Sequence, residues 1–242
     1  FQIGAQLDLA DQTENLRLAD IGIYSSILWH GNDSTTMSYP YEIRDELKRY
    51  IELGGNILFS VYKPSNAFEL CASYPVTFAP SSFISEVLGI SAAGLSNNAR
   101  FKYALPNWAN LAPMQVDSLK TITTMNGHIF KVESLTPLEA NQIMYSYGSD
   151  YTNDTAQGEM NGVPIAVYHE YGSGQTVTLS FPLYNMELPG ARAFVDEIFN
   201  NYFNEPLDAD DPANNHTPAL SILSNYPNPF SRSTNLPLSL QD

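Results

Sequence analysis

The residues that could carry chemistry follow two apolar runs of the chain. Residues 24–29 form a short, largely apolar run that is followed by His30. Residues 56–62 form a second apolar run, which contains Ser60 and precedes Lys63. A serine beside a histidine can act as a nucleophile with its base, and a lysine ammonium can hold a carboxylate. The predicted ligand-binding residues are His30, Asn32, Asp33, Ser60, Lys63, Tyr184 and Asn185.

Cysteine and metal chemistry have weaker support in the sequence. Cys71 is the only cysteine, so no intrachain disulfide can form, and no glycine-flanked elbow surrounds it to present a nucleophile. The four histidines lack the short spacing of a zinc site. A short acidic run could offer oxygen ligands to calcium, although a solvated acidic linker is favoured because the glycine turn and distal glutamate of an EF-hand are missing. The run contains Asp208, Asp210 and Asp211, and no other cofactor is expected.

Aromatic side chains are a further candidate. A sugar ring can stack on exposed aromatic rings, although aromatics at strand ends and helix starts usually complete a core. The candidate sugar-stacking residues are Trp29, Tyr39, Tyr41, Tyr62, Trp108 and Tyr184.

The elements that must position these groups begin with a strand–helix–strand unit. The two apolar runs predict buried strands, and the segment between them predicts a helix capped by Ser38 and stopped by Gly54 and Gly55. Two nearly continuous apolar strands joined by a helix are typical of a parallel sheet covered by helices. The carboxyl ends of such strands usually hold the ligand.

The rest of the chain up to residue 203 predicts further elements. Residues 63–80 predict a loop and residues 81–88 a short helix. Residues 91–162 predict an insertion or a sheet extension, with strands near 100–105, 115–119, 129–132 and 142–147. Alternating polarity on both sides of a Gly-Ser-Gly turn predicts a β-hairpin from residues 163–170 and 175–181. An apolar stripe after Pro189 predicts a final helix.

Composition limits the possible partners. The 242 residues carry 26 acidic and 11 basic side chains, for a net charge of -15, so nucleic acid is not an expected partner. No run approaches the roughly 20 apolar residues of a membrane span. The chain starts at Phe1 without a signal segment, and we expect a fragment of a larger protein whose neighbouring domains are its partners.

The last segment resembles a secretion signal. Residues 204–219 are acidic and proline-rich and predict a linker. The following run resembles the start of the Ig-like sorting domains of type IX secretion cargo, through Tyr226, Pro227, Asn228, Pro229 and Phe230. The resemblance implies contact with secretion machinery and a secreted or cell-surface location in a Gram-negative bacterium.

Residues 24–203 resemble the class I glutamine-amidotransferase-like, flavodoxin-like domains. The matching segments are residues 27–31, 54–55, 172–174 and 179–183. Catalytic members carry a polar nucleophile at a sharp elbow after the strand that follows the double glycine. Residues 60–63 occupy that place without small neighbours, which implies that the catalytic machinery is lost.

These observations predict an α/β chain in three parts. Residues 1–203 would form a degenerate amidotransferase-like domain, a flavodoxin-like parallel sheet with flanking helices and a C-terminal β-hairpin. Residues 204–219 would be a linker, and residues 220–242 the truncated start of a β-sandwich. The predicted function is a non-catalytic structural, ligand-binding or partner-binding module of an exported protein. The alternatives are a hydrolase that uses Ser60 or Cys71 with His30, and an accessory domain of a secreted protease.

Overall fold

The computed structural model describes residues 16–31, 39–121 and 125–205, and the backbone of residues 220–222 and 238–240. Contacts divide the chain into a large unit, Gly4–Leu207, and a small unit that includes Asp208–Asp242. The small unit contains an antiparallel pair of strands, β11 (Leu220–Ile222) and β12 (Leu238–Leu240). The boundaries at 203/204 and 219/220 remain predictions.

A seven-stranded mixed sheet organises the large unit. In spatial order its strands are β1 (Ser26–His30), β2 (Asn56–Ser60), β10 (Gly174–Leu179), β9 (Pro164–Tyr171), β8 (Ile143–Gly148), β5 (Tyr103–Pro106) and β6 (Met114–Gln115). The first three strands are parallel. The remaining neighbours pair antiparallel.

The predicted flavodoxin-like parallel sheet is therefore wrong. The parallel part ends at β10, and four of the seven strands continue the sheet in antiparallel pairs. The physical reason lies in the connections: β9 and β10 are joined by only Gly172 and Ser173, and a parallel pair needs a crossover of about a dozen residues or more. The strand–helix–strand unit and the hairpin are confirmed as local elements, within a different overall sheet.

A smaller sheet and six α-helices complete the large unit as described. The antiparallel sheet contains β3 (Val76–Thr77), β4 (Ile90–Gly94) and β7 (Ser134–Pro137). The helices are α1 (Leu18–Ile21), α2 (Tyr39–Glu42), α3 (Arg44–Glu52), α4 (Pro64–Glu69), α5 (Phe83–Glu86) and α6 (Leu188–Glu197). A π-helix, Ile198–Tyr202, extends α6, and two 3-10 helices span Ala140–Gln142 and Leu183–Asn185.

The structure corrects several predicted elements. The predicted loop over residues 63–80 contains α4 and β3, and the predicted strand at 129–132 is replaced by β7, which begins at Ser134. The strand β4 follows α5 and was not predicted. Within residues 91–162, β5, β6 and β8 extend the large sheet, as the sheet-extension alternative expects, whereas β7 joins the small sheet.

Two cores lie on opposite faces of the large sheet. In β2, Ile57 and Phe59 belong to one core and Leu58 to the other, as the alternation of side chains along a strand requires. The helices α3, α4 and α5 and the small sheet cover the first core. The helix α6 with its π-helical extension covers the second.

None of the helices in the described residues is long and apolar enough to cross a bilayer.

The hairpin packs tightly against the end of α3. A Cβ placed on Gly174 would lie 2.3 Å from the Gly55 carbonyl oxygen and 2.4 Å from the Ile51 carbonyl oxygen. Backbone atoms cannot move aside as a flexible side chain can. Position 174 therefore requires glycine for space.

We predict that Gly174→Ala lowers the free energy of unfolding by about 1–3 kcal/mol, the usual cost of overpacking. The matched variant is Gly190→Ala in α6, where the added Cβ would lie 3.4 Å from Met114 Cα and from the Pro113 carbonyl oxygen, an ordinary contact distance. This variant should be neutral or should stabilise the protein by up to about 1 kcal/mol. Urea unfolding of both variants measures the difference. Equal effects would contradict the packing argument.

Candidate functional site

The carboxyl ends of β1 and β2 bring two predicted site residues into contact. His30 and Ser60 are register partners in the parallel pair, and His30 Nδ1 lies 3.3 Å from Ser60 Oγ. The Leu183 backbone N–H donates to Ser60 Oγ over 2.8 Å. Partial desolvation lowers the pKa of the His30 imidazole, which favours its neutral form near neutral pH.

The same contacts argue against the predicted nucleophiles. Ser60 is fully buried, and its oxygen already accepts the Leu183 N–H, so a substrate cannot reach it. Burial also raises the pKa of the Cys71 thiol, which disfavours the reactive thiolate. Ser60 is better understood as the residue that orients His30.

Lys63 stands at a strained turn between β2 and α4. Its backbone is left-handed, with φ 44 and ψ 68, a conformation that costs a residue with a side chain about 1–2 kcal/mol. Pro64 follows directly as the first helical residue. Strain of this kind is retained where surrounding contacts over-determine the backbone, and it is frequent at functional sites.

A buried carboxylate provides those contacts. Glu133 is fully buried and accepts hydrogen bonds from the Ser65 N–H at 3.0 Å, the Ser65 hydroxyl at 2.7 Å and the Tyr74 hydroxyl. The Glu133 carbonyl oxygen accepts the Ser180 hydroxyl at 2.7 Å. This network fixes the start of α4, and with it Lys63, against the ends of the strands.

Sequence reasoning missed Glu133, Ser65 and Tyr74. Glu133 lies 68 residues from Ser65 and 59 residues from Tyr74, so no local spacing shows the network. The one available signal is a glutamate between apolar residues, Val132 and Leu135, in a segment with strand character.

The other predicted site residues have different roles or lie outside the described residues. The Asn185 amide donates to the Tyr62 hydroxyl at 3.0 Å, and Tyr184 is 53% exposed and faces the Lys120 ammonium. The described residues hold no cluster of three or more His, Cys, Asp or Glu side chains arranged for a metal. The remaining predicted residues lie outside the described ranges: Asn32, Asp33, Asp208, Asp210, Asp211, Tyr226, Pro227, Asn228, Pro229 and Phe230.

Three aromatic rings form a second candidate site near the opposite end of the sheet. The Trp108 ring centroid lies 5.3 Å from that of Tyr202 and 5.6 Å from that of Tyr168, and the two tyrosine centroids lie 5.7 Å apart. All three side chains are partly exposed. We call this group, Trp108, Tyr168 and Tyr202, the aromatic platform.

Polar groups surround the aromatic platform. The Asn110 amide donates to the Tyr202 hydroxyl at 2.9 Å and to Glu197 at 2.5 Å. The Tyr168 hydroxyl donates to Glu170 at 2.8 Å. The platform therefore combines ring faces with an amide and two carboxylates.

The structure changes the predicted aromatic surface. Trp29 and Tyr62 are buried at 7% and 8% exposure, and the Arg44 guanidinium covers the Tyr41 ring at 3.7 Å. Of the predicted set, Trp108 alone belongs to the platform. In the sequence, Tyr168 belongs to the predicted hairpin and Tyr202 follows the start of the predicted last helix by 13 residues, and no local pattern indicates that they meet.

Comparisons with known proteins give structural likeness only. No protein-family model matches the chain. The comparison with curated proteins found no match. Similar solved structures include a β-galactosidase from G. stearothermophilus, with 15% identity, a TM-score of 0.46 and coverage of 75% of this chain and 22% of that chain.

Two other similar solved structures are a mannosidase and a protein whose title states no activity. An exo-β-1,4-mannosidase from an Opitutaceae bacterium has 15% identity and a TM-score of 0.37, with 72% of this chain and 23% of that chain covered. A cytoplasmic protein from Salmonella typhimurium has 12% identity and a TM-score of 0.42, with 78% and 75% covered. The chain spans about a fifth of the length of the β-galactosidases.

These findings correct the predicted family and function. The mixed sheet overturns the resemblance to flavodoxin-like, amidotransferase-like domains, and no family model supports the resemblance to type IX sorting domains. The prediction of type IX secretion rested on that sorting-domain resemblance alone. No observation tests the predicted secreted or cell-surface location. The similar structures whose titles state an activity are glycoside hydrolases, which stands against the predicted non-catalytic module.

We predict that the free energy of unfolding of Lys63→Gly is about 1–2 kcal/mol higher than that of Lys63→Ala. The reason is that glycine adopts the left-handed backbone without strain, whereas alanine does not. Arg49 is an exposed position inside α3. There, the free energy of unfolding of Arg49→Gly should be about 1 kcal/mol lower than that of Arg49→Ala. Chemical unfolding of the four variants measures both differences. The same order at both positions would disprove strain at Lys63.

We also predict a pH effect at Glu133, whose pKa burial raises above its usual range. A carboxyl with a raised folded-state pKa stabilises the fold most below its unfolded-state pKa, and this stability is lost as pH rises through the folded-state pKa. The stability of the native protein relative to Glu133→Gln should therefore fall as pH rises from the ordinary glutamate range towards alkaline pH. Urea unfolding across that range measures it, with Glu42→Gln, an exposed position, as control. A difference that grows with pH would contradict the prediction.

Proposed function

We propose that this chain contacts carbohydrate as part of a larger carbohydrate-active protein. The single observation that carries the proposal is the aromatic platform. The titles of the similar structures are consistent with it but do not support it, because the likeness is a distant one.

The ring arrangement suits the face of a sugar. The planes of Trp108 and Tyr202 are inclined by 32° with ring centroids 5.3 Å apart, so the two rings pack against each other as a partly exposed aromatic pair. The C–H face of a pyranose is apolar and packs on the outward surface of such a pair, since aromatic side chains offer large rigid contact area with polar edges. Tyr168, at 67° to Trp108, borders the pair.

The polar groups at the rim suit sugar hydroxyls. A hydroxyl both donates and accepts, and Asn110 with Glu197 offers an amide and a carboxylate beside the Tyr202 ring. Glu170 offers a second carboxylate on the Tyr168 side. These acceptors, together with the net charge of -15, favour a neutral sugar over an anionic one.

We predict that neutral oligosaccharides change the fluorescence of Trp108. The chain has two tryptophans, so Trp29→Phe makes Trp108 the sole indole reporter. Titration with cellohexaose and with mannohexaose should give a saturable change in emission for at least one of them. Tyr202→Ala should weaken binding at least tenfold, about 1.4 kcal/mol.

Two further variants make this test specific. Asn110 is exposed, so Asn110→Ala should weaken binding without disturbing the core. Tyr184 is an exposed tyrosine near the other end of the sheet, and Tyr184→Ala should bind as the parent does. The absence of a saturable change with either sugar, or equal losses in the Asn110 and Tyr184 variants, would refute the platform as a sugar site.

A further inference from the structure

A buried histidine faces an aspartate just beyond the end of β8. His128 is only 5% exposed, and its Nε2 atom lies 3.3 Å from Asp150 Oδ2. Among residues 16–31, 39–121 and 125–205, this buried Nε2 has no hydrogen-bond partner. We propose that His128 and Asp150 together bind Zn²⁺. The site shares no residue with the aromatic platform, so neither proposal depends on the other.

A backbone carbonyl decides which ring nitrogen of His128 is free to bind a metal. Nδ1 lies 3.1 Å from the Met125 carbonyl oxygen, and a carbonyl oxygen can only accept a hydrogen bond. The hydrogen of the neutral imidazole is therefore on Nδ1, and the lone pair is on Nε2, the atom next to Asp150. Histidines that bind metals usually donate their other ring N–H to a backbone carbonyl or a carboxylate in this way.

The position of Asp150 fits a shared metal ion better than a direct hydrogen bond. A charge-assisted hydrogen bond between the two side chains would be about 2.7–2.9 Å long. The observed separation is 3.3 Å, and Oδ2 is not placed to accept a hydrogen from Nε2. Two ligands of one tetrahedral zinc ion, each about 2.0–2.2 Å from the metal, lie about 3.3–3.5 Å apart. A metal on the lone-pair axis of Nε2 also places its other ligands off that axis.

Both ligands are oriented by neighbouring groups. The Tyr103 hydroxyl donates to Asp150 Oδ1 over 2.5 Å, which leaves Oδ2 for a metal, and hydrogen bonds of this kind orient ligating carboxylates. The Tyr151 ring packs against the imidazole, with ring centroids 5.6 Å apart. The Asp150 side chain is 47% exposed, so an ion can enter from solvent.

The donor set selects among cations. An imidazole nitrogen suits Zn²⁺ and other transition metals, whereas Mg²⁺ and Ca²⁺ prefer oxygen ligands. In the part of the chain that the structure describes, no third His, Cys, Asp or Glu joins the pair. Two positions of a tetrahedral ion therefore remain for water or for a group from another molecule. Because the net charge of -15 attracts any dication, a Mg²⁺ control separates this general attraction from the site.

Nitrogen-15 NMR of the histidine side chains tests the proposal on protein without a histidine tag. The chain has four histidines, and ring-proton contacts with Tyr151 identify the signals of His128. Titration with zinc chloride should shift His128 Nε2 saturably, while Nδ1 keeps its hydrogen. Magnesium chloride at the same concentrations should leave the His128 signals in place. Asp150→Asn should weaken zinc binding at His128 at least tenfold, because one ligand loses its charge.

Asp154→Asn is the matched control, because Asp154 is an exposed aspartate in the same loop between β8 and β9. This variant loses the same charge and should bind zinc as the parent does. Zinc binding at Nδ1, equal zinc binding in Asp150→Asn and the parent, or no response of His128 to zinc would overturn the proposal. An Nε2 that carries a hydrogen throughout the titration would also overturn it, since the pair would then be an ion pair only.

Discussion

The buried carboxylate of Glu133 is the interaction on which the candidate site at the strand ends depends. It collects two hydrogen bonds from Ser65 and one from Tyr74, while its backbone carbonyl accepts the Ser180 hydroxyl beyond β10. Removing one partner of such a buried network leaves other polar groups unsatisfied. Segments distant in sequence therefore keep one arrangement: the start of α4, the approach to β3, the segment before β7 and the end of β10.

This arrangement explains why a strained lysine persists. The backbone of Lys63 is held between β2, which lies in the core, and Ser65, which Glu133 binds. Relaxation of Lys63 towards an ordinary conformation would move Ser65 away from its carboxylate. The cost of the left-handed turn is offset by these hydrogen bonds.

The mixed sheet separates two kinds of surface. Its parallel strands end together at His30 and Ser60, whereas the antiparallel strands bring Tyr168 of β9 next to Trp108 and Tyr202. The first surface has the imidazole of His30, and the second has aromatic rings and carboxylates.

The sequence predicts those parts of the fold whose signals are local. The apolar runs before His30 and Lys63 and the Gly-Ser-Gly turn each predict an element that the structure contains, and the contact of His30 with Ser60 follows from parallel strands. The antiparallel half escapes prediction because its strands are short and interrupted by proline and glycine. Glu133 and the aromatic platform escape it because their partners come together only in the folded chain.

Hydrogen exchange at the Ser65 amide tests the central role of Glu133 most directly. The account predicts slow exchange of this amide in the native protein and much faster exchange in Glu133→Leu, which has no side-chain acceptor, while the amide of Leu58 in the buried strand β2 keeps its protection. An unchanged Ser65 amide in the variant, with Leu58 protected in both proteins, would contradict the claim that Glu133 holds the start of α4 and the turn at Lys63.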